Sequence, residues 1–236
     1  KLLKFMKKRL HLLSKQTLVW CLFLISGVMW GQTYYNMSSG NYSNDFNGIT
    51  TLPTNFSVVG VLNTGTIPVA TKTTTSSSSS LSVVSSGAAI GIDVATSTKL
   101  VFLTTGSGDN STAIATDLNL NFTNRIAGNL TYDVSTIFNG TGNRVGSLKV
   151  YYSLNNTSWV ELTGTNLPYV ATNNVAGAGS VNIALPAALN NQSTVKLRFY
   201  YHNGSGGTTG SRPRIGIDNI SITSSALNNV PTVSNV

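Results

Sequence analysis

The chain has 236 residues, of which only 9% are charged, and its formal net charge is +8. Six of the fifteen basic residues precede residue 33, where no acidic residue occurs, so the remainder is nearly neutral, with nine basic against seven acidic residues. The excess of basic residues is confined to the N-terminal segment, so the rest of the chain has no clustered basic face. Nucleic acid is therefore not a predicted partner. The single cysteine, Cys21, lies in the same N-terminal segment, so no disulfide is expected beyond it.

Residues 1–32 have the layout of a secretory signal peptide. Basic residues at Lys7–Arg9 precede an apolar run, Leu18–Met29, which is shorter than the roughly 20 residues that span a bilayer. Polar sequence returns at Gly31-Gln32, where cleavage is expected. Met6 is the expected start of translation, with residues 1–5 an upstream read-through. The pattern predicts a secreted protein with no membrane span in its mature form; an uncleaved anchor is the alternative.

Beyond the leader, short runs of alternating apolar and polar residues, together with one continuous apolar run at Leu100–Leu103, predict β-strands. In chain order they are Leu100–Leu103, Leu118–Thr123, Leu130–Val134, Leu148–Leu154, Trp159–Leu162, Val181–Leu185, Val195–His202 and Arg214–Thr223. No segment has a sustained helical period, and Ala187–Leu189 is at most one turn. Many short strands separated by Gly- and Asn-rich turns predict an all-β protein, an antiparallel sandwich or barrel.

The last predicted strand changes phase in its middle. Ile215 and Ile217 share one face, whereas Ile220 and Ile222 are one residue out of step with them, so an extra residue lies at Asp218-Asn219. Such a shift predicts a β-bulge. It also places a carboxylate inside an apolar strand, where an unpaired charge is costly. Either a bound cation or backbone N–H groups across the bulge would satisfy Asp218.

The sequence does not favour catalysis. The seven acidic residues are scattered, and none lies in a motif that suggests the paired carboxylates of a hydrolase. The only histidine after the leader is His202, which we interpret as an exposed strand end. No His/Cys cluster suits zinc, and the glycines at Gly204–Gly207 lack the residues of a phosphate-binding loop. We therefore predict that the chain is not an enzyme.

Sugar binding is the most specific function that the residues allow. Tyr151 and Tyr200 fall opposite the apolar stripes of their strands, where aromatic rings could stack on sugars and amides could supply hydrogen bonds. Arg212 and Arg214 lie beside a Gly-rich loop, where they could recognise an anionic glycan. Each candidate has a structural alternative: packing for the tyrosines and for Trp159, and a solvated loop for the arginines.

Several motifs resemble jelly-roll modules of the cleaved-adhesin, MAM-like and choice-of-anchor kind. They are Gly146–Ser153 followed by Trp159, and the late Ile217–Ile220. The leader end, Gly31–Asn36, resembles the starts of secreted proteins from the Bacteroidota. The resemblance covers roughly residues 34–224. It implies an all-β, antiparallel jelly-roll β-sandwich at residues 33–224, secreted or attached to the cell surface, often through a type IX secretion system.

The same resemblance implies a function. Such modules are non-catalytic, so the expectation is an adhesive or carbohydrate-binding module whose partner is an extracellular glycan or a surface protein. The alternative is a purely structural accessory domain beside a downstream secreted protease, nuclease or glycosidase. Residues 225–236 read as a linker and the start of a further, truncated β-domain, so further domains are expected downstream in the same chain.

Several relatives of that kind hold a structural calcium ion near the junction of their first and last strands. Their early motif is an acidic residue, Phe and a second acidic residue, which Asp45-Phe46-Asn47 matches with one amide in place of a carboxylate. The resemblance therefore implies Ca²⁺ at Asp45, Asn47 and Asp218. Calcium takes six to eight oxygen ligands, so these residues alone would not complete the site.

Overall fold

The computed structural model describes residues 33–49, 52–63, 90–92, 99–104, 108–109, 112–138, 140–204 and 206–228. The chain divides into two compact units, residues 1–32 and 33–236, and every described strand lies in the second. The predicted signal peptide and most of the predicted linker and further β-domain lie outside the described residues and stay predictions.

The described residues form thirteen β-strands and no α-helix. The strands are β1 (Tyr35–Asn36), β2 (Tyr42–Asn44), β3 (Phe56–Asn63), β4 (Ile90–Ile92), β5 (Leu100–Leu103), β6 (Thr112–Asn121), β7 (Arg125–Ile137), β8 (Val145–Ser153), β9 (Val160–Leu162), β10 (Tyr169–Thr172), β11 (Ala178–Ala184), β12 (Val195–His202) and β13 (Arg214–Ala226). Single-turn 3-10 helices occur at Met37–Ser39 and Ala187–Leu189. Within the described part of the chain, no helix is long and apolar enough to span a membrane.

The strands build two sheets. Sheet A has the order β1-β6-β12-β8-β10, with β3 also paired to β6 and β9 to β8. Sheet B has the order β11-β7-β13-β5-β4, with β2 also paired to β13. Among these described strands, every pairing is antiparallel except that of β1 with β6. The prediction of an all-β, antiparallel jelly-roll sandwich is confirmed.

The two sheets pack face to face around one core. On β12, Leu197, Phe199 and Tyr201 point inward and are fully buried. The ring of Phe199 meets Tyr132 of β7 edge-on, with 5.4 Å between ring centroids, so this contact joins sheet A to sheet B. Since successive residues of a strand point to opposite faces, the residues between these core positions lie on the outer face of sheet A.

The predicted bulge in the last strand is confirmed. Pairing of β13 with β7 shifts register between Asp218 and Ser221, and Asn219 has φ 51°, in the left-handed region that asparagine tolerates better than most residues. The extra residue returns the following isoleucines to the core side, so that all four isoleucines of β13 are fully buried: Ile215, Ile217, Ile220 and Ile222. β13 pairs with β2, so the last strand meets one of the first.

Candidate functional site

The outer face of sheet A is a regular grid of side chains from β6, β12 and β8. Directly opposed residues of antiparallel strands point to the same side, so each outward residue of β12 has one neighbour on either flank. The four rows are Asn119–Lys196–Ser153, Asp117–Arg198–Tyr151, Ala115–Tyr200–Lys149 and Ala113–His202–Ser147. At about 3.4 Å per residue, these rows extend for roughly 20 Å along β12.

A buried ion pair occupies the second row. Arg198 Nε and Nη2 donate to the two carboxylate oxygens of Asp117 at 2.6 and 2.8 Å, and both side chains are only 1% exposed. The ring of Trp159 lies over the guanidinium, with Arg198 Cζ 3.7 Å from the ring centroid, a cation–π contact. Trp159 therefore forms part of the cover of this face, and the bidentate pair fixes the guanidinium in one orientation.

A second polar group lies at the β8 side of the grid. Glu161 of β9 accepts a hydrogen bond from Lys149 Nζ at 3.0 Å and one from the Tyr151 hydroxyl at 3.1 Å, both at Oε2. Burial raises the pKa of Tyr151, and the charge of Glu161 adds to the rise. The hydroxyl is therefore a stable donor, and the Lys149 charge is balanced.

Four buried polar atoms on this face have no hydrogen-bond partner. They are Asn119 Oδ1, Arg198 Nη1, Tyr200 OH and His202 Nε2. Their residues are between 0% and 6% exposed. Most buried polar groups in folded proteins are paired, because an unpaired one costs free energy, so a group of four on one sheet face calls for an explanation.

The protonation of His202 follows from its contacts. Its Nδ1 accepts the backbone N–H of Gly204 at 3.1 Å, so the proton of the neutral ring lies on Nε2. Burial lowers the pKa of His202 to about 4, and the charge of Lys149 adds to the lowering. His202 is thus a neutral donor at neutral pH. Our interpretation of this residue as an exposed strand end is wrong, because its side chain belongs to the covered grid.

The tyrosines predicted to bind a ligand do come together on this face. The Tyr151 and Tyr200 rings meet edge-on at 6.0 Å, on the side away from the core. They are not surface aromatics, however, since Tyr151 is 4% and Tyr200 0% exposed. The physical reason is a second apolar cluster, in which these rings pack with Val59, Ala113, Ala115 and Trp159. Their role in ligand binding stays a prediction.

The two predicted arginines lie elsewhere and are engaged internally. Arg212 is 2% exposed, donates to the backbone oxygen of Val145 at 2.9 Å and pairs with Asp109 at 3.0 Å, so the expectation of a solvated loop is wrong for it. Arg214 is partly exposed and donates to the backbone oxygen of Phe138 at 2.9 Å. The outer face of sheet A contains neither residue.

The residues predicted to bind calcium lie near the junction of β2 and β13. The last residue of β2, Asn44, pairs with Ile220 of β13, and Asp45 follows it directly. Asp45 and Asn219 line the same open groove. Asp218 is partly buried and accepts the N–H of Asn219 at 2.8 Å. Burial raises the pKa of Asp218, and the charges of Asp133 and Asp45 add to the rise.

The donor set at this junction suits calcium only in part. Its donors are carboxylate and amide oxygens, the type that calcium prefers. Asp45 already accepts two hydrogen bonds from Asn47, at 3.0 and 2.9 Å. Within the described residues, no three His, Cys, Asp or Glu side chains converge as a metal site. Of the predicted backbone N–H donors to Asp218, the structure shows one within the bulge, that of the next residue, Asn219.

Most of the polar grid on the outer face of sheet A was not predicted from the sequence. Asn119, Asp117 and Arg198 are the polar residues that alternate with the apolar ones in two predicted strands. This alternation could have placed them on the outer face of the sheet. Their pairing could not be found, because it depends on β6 and β12 being neighbours although 81 residues separate Asp117 from Arg198.

No family model and no curated protein matches the chain. Similar solved structures include a family 28 carbohydrate-binding module specific for non-crystalline cellulose, at 14% identity and a TM-score of 0.39, covering 57% of this chain and 79% of that one. A family 11 module from a cellulase of Clostridium thermocellum has 12% identity and a TM-score of 0.38, covering 81% and 98%. A xylan-binding domain of family 22 has 12% identity and a TM-score of 0.36, covering 80% and 96%.

Proposed function

We propose that the chain is a non-catalytic, extracellular β-sandwich module that binds carbohydrate on the outer face of sheet A. The observation that carries the proposal is the set of four unpartnered polar atoms on that face. Secretion to the medium or the cell surface, through the predicted signal peptide, is part of the same proposal.

The unpartnered atoms suit the hydroxyl groups of a sugar. Arg198 Nη1 and His202 Nε2 are donors, Asn119 Oδ1 is an acceptor, and the Tyr200 hydroxyl is both. A sugar hydroxyl can likewise donate and accept, so one ligand type satisfies all four atoms. The half-buried ring of Trp159 beside them provides an apolar surface for a sugar face.

Access to these atoms has an energetic cost. Trp159 follows the exposed turn Asn155–Ser158 and lies over Arg198, so it is the part of the cover that a ligand would meet first. A ligand that reaches Arg198 and Tyr200 must displace groups packed on them. The measured affinity is then lower than the intrinsic affinity of the uncovered face.

A matched pair of tyrosine variants tests the proposal. Tyr200→Phe removes the unpartnered hydroxyl from the outer face, and Tyr132→Phe removes an unpartnered hydroxyl from inside the sandwich. We expect wild-type protein to bind polysaccharides on a glycan array, Tyr200→Phe to bind its best ligand about tenfold more weakly, and Tyr132→Phe to bind like wild type. Neither change should unfold the protein, since each deletes an unsatisfied group and keeps the ring.

Two outcomes would contradict this function. Equal binding by wild type and Tyr200→Phe, with titration calorimetry as the measurement, would move the site away from the outer face. Folded protein that binds no glycan on the array would favour the alternative function, a structural accessory domain beside a downstream secreted hydrolase.

We further propose that a structural calcium ion binds at the junction of β2 and β13, with Asp45, Asn47 and Asp218 among its ligands. The support is the charge at this junction: burial, with the charges of Asp133 and Asp45, raises the pKa of Asp218, and Lys99 opposes the three carboxylates only in part. When bound, calcium would add its positive charge to that of Lys99 and tie the last strand to an early one. It would have no role in carbohydrate chemistry.

A further inference from the structure

We propose that the glycan bound on the outer face of sheet A is acidic, and that its carboxylate or sulfate group binds at Lys196. This inference rests on the proposed carbohydrate-binding function and adds the chemical class of the ligand. Two independent observations carry it: the charge balance of the face, and a cavity at one end of the β12 row.

The charges of the outer face do not cancel. Its charged side chains, with the partner from β9, are Lys149, Lys196, Arg198, Asp117 and Glu161. His202 adds no charge at neutral pH, because burial lowers its pKa to about 4. Among the described residues, the face therefore keeps one positive charge more than it has negative charges.

That excess charge belongs to Lys196. Arg198 holds Asp117 at 2.6 and 2.8 Å, whereas the Lys196 ammonium is 3.7 Å from the same carboxylate, beyond hydrogen-bonding distance. The side chain of Lys196 is only 16% exposed. Lys196 shares this single carboxylate with Arg198, and one negative charge cannot neutralise two cations, so an anion from a ligand would stabilise the mostly buried ammonium.

A cavity of about 210 Å³ opens beside Lys196. Its lining includes Tyr34, Ser153, Asn155, Asn156 and Lys196, and of the described residues that line it only Lys196 is charged. Asn155 Oδ1 accepts the backbone N–H groups of Thr157 and Ser158, which leaves its Nδ2 as a donor. The cavity thus offers an ammonium and an amide donor, and its described lining contains no carboxylate, which suits an anionic oxygen group.

The cavity continues the binding face. Lys196 lines the cavity and also begins the outward row of β12, which continues through Arg198, Tyr200 and His202 at intervals of about 7 Å. A sugar chain whose anionic group binds at Lys196 can therefore extend along β12 past the unpartnered polar atoms. One linear acidic glycan accounts for the excess charge and for those atoms together.

The test compares each charged polymer with a neutral polymer of the same sugar backbone. Polygalacturonate is paired with its fully methyl-esterified form, and dextran sulfate with dextran, which separates carboxylate from sulfate. The variant is Lys196→Gln; the control is Lys99→Gln, which removes the same charge on the sheet B side, where Lys99 Nζ lies 3.4 Å from Ser135 of β7. We expect Lys196→Gln to weaken binding of the preferred charged polymer by about tenfold or more, and Lys99→Gln by less than about twofold.

Each outcome bears on the inference. Tighter binding of one charged polymer than of its neutral partner, lost in Lys196→Gln but kept in Lys99→Gln, would support it. Equal binding of charged and neutral partners, or equal losses in both variants, would overturn it while leaving the carbohydrate-binding function intact. Absence of binding to all four polymers would overturn it too. The proposed carbohydrate-binding function is tested separately, by whether the protein binds any glycan on the array.

Discussion

Arg198 shows at the residue scale how one side chain organises the outer face of sheet A. Two of its nitrogens fix Asp117, its face stacks on Trp159, and its third nitrogen has no partner. A buried guanidinium is tolerated only when its charge is paired. The same pairing holds the third nitrogen in a fixed direction, so the group that stabilises the fold also presents a donor to a ligand.

The first prediction at this scale concerns Asp117. Asp117→Asn would leave Arg198 and Lys196 without a counter-charge in a nearly water-free site, so we expect a loss of about 3–5 kcal/mol in the free energy of unfolding. The control is Glu161→Gln, which breaks the more exposed pair with Lys149 and should cost less than about 1 kcal/mol. Urea denaturation measures both, and equal losses would mean that the Asp117 pair is not protected from solvent.

At the scale of elements, the junction of β2 and β13 combines a bulge with an excess of negative charge. The bulge keeps four isoleucines of β13 in the core and turns Asp218 and Asn219 outward. The Asn219 amide donates to Asp133 at 2.9 Å and so relieves part of the repulsion between Asp133 and Asp218, which face each other across β7 and β13. The remaining repulsion is what a cation would remove.

A chelation experiment separates the two readings of Asp218. If calcium binds, a chelator should lower the melting temperature of wild type, because a ligand that binds only the native state stabilises it. Asp218→Asn should then show no change on chelation, and in chelator it should melt no lower than wild type, since it loses a repelled charge. A wild-type melting temperature that ignores both chelator and added calcium would leave only the hydrogen bond to Asn219.

For the molecule as a whole, the decisive feature is one core shared by both sheets. Phe199 and Tyr132 belong to different sheets yet pack in the same cluster. Neither sheet can keep its inner face from water without the other, so the sandwich of β1–β13 is expected to unfold in a single cooperative transition.

Phe199→Ala tests this cooperativity. Deleting the ring opens a cavity between the sheets, and we expect a loss of about 3–5 kcal/mol. The control is Val170→Ala, because Val170 is 60% exposed and its truncation should stay within about 0.5 kcal/mol. Far-UV circular dichroism and tryptophan fluorescence should give coincident melting curves for both variants. Separate transitions would show that the two sheets unfold independently.

How much the sequence predicted depends on the range of the interaction. Alternation of apolar and polar residues predicted β6–β9 and β11–β13, an apolar run predicted β5, and the phase change predicted the bulge, because all are local patterns of one strand. β1, β2 and β4 were missed, since two or three residues are too few to show a period, and the longer β3, Phe56–Asn63, was missed as well. β10, Tyr169–Thr172, was missed as well, although its residues alternate between buried and exposed.

The candidate site likewise has features that the local sequence predicts and features that depend on contacts between distant strands. The sequence by itself determined the all-β class, the outward phase of Tyr151 and Tyr200 and the position of the bulge at Asp218-Asn219, because strand geometry assigns faces residue by residue. Only the tertiary structure decided that Arg198 pairs with Asp117, that Arg212 is buried against Val145 and Asp109, and that Lys196 is left with excess charge. Those outcomes depend on which strands become neighbours, and hydrogen bonds and charges act over a few ångströms in space, whatever their separation along the chain.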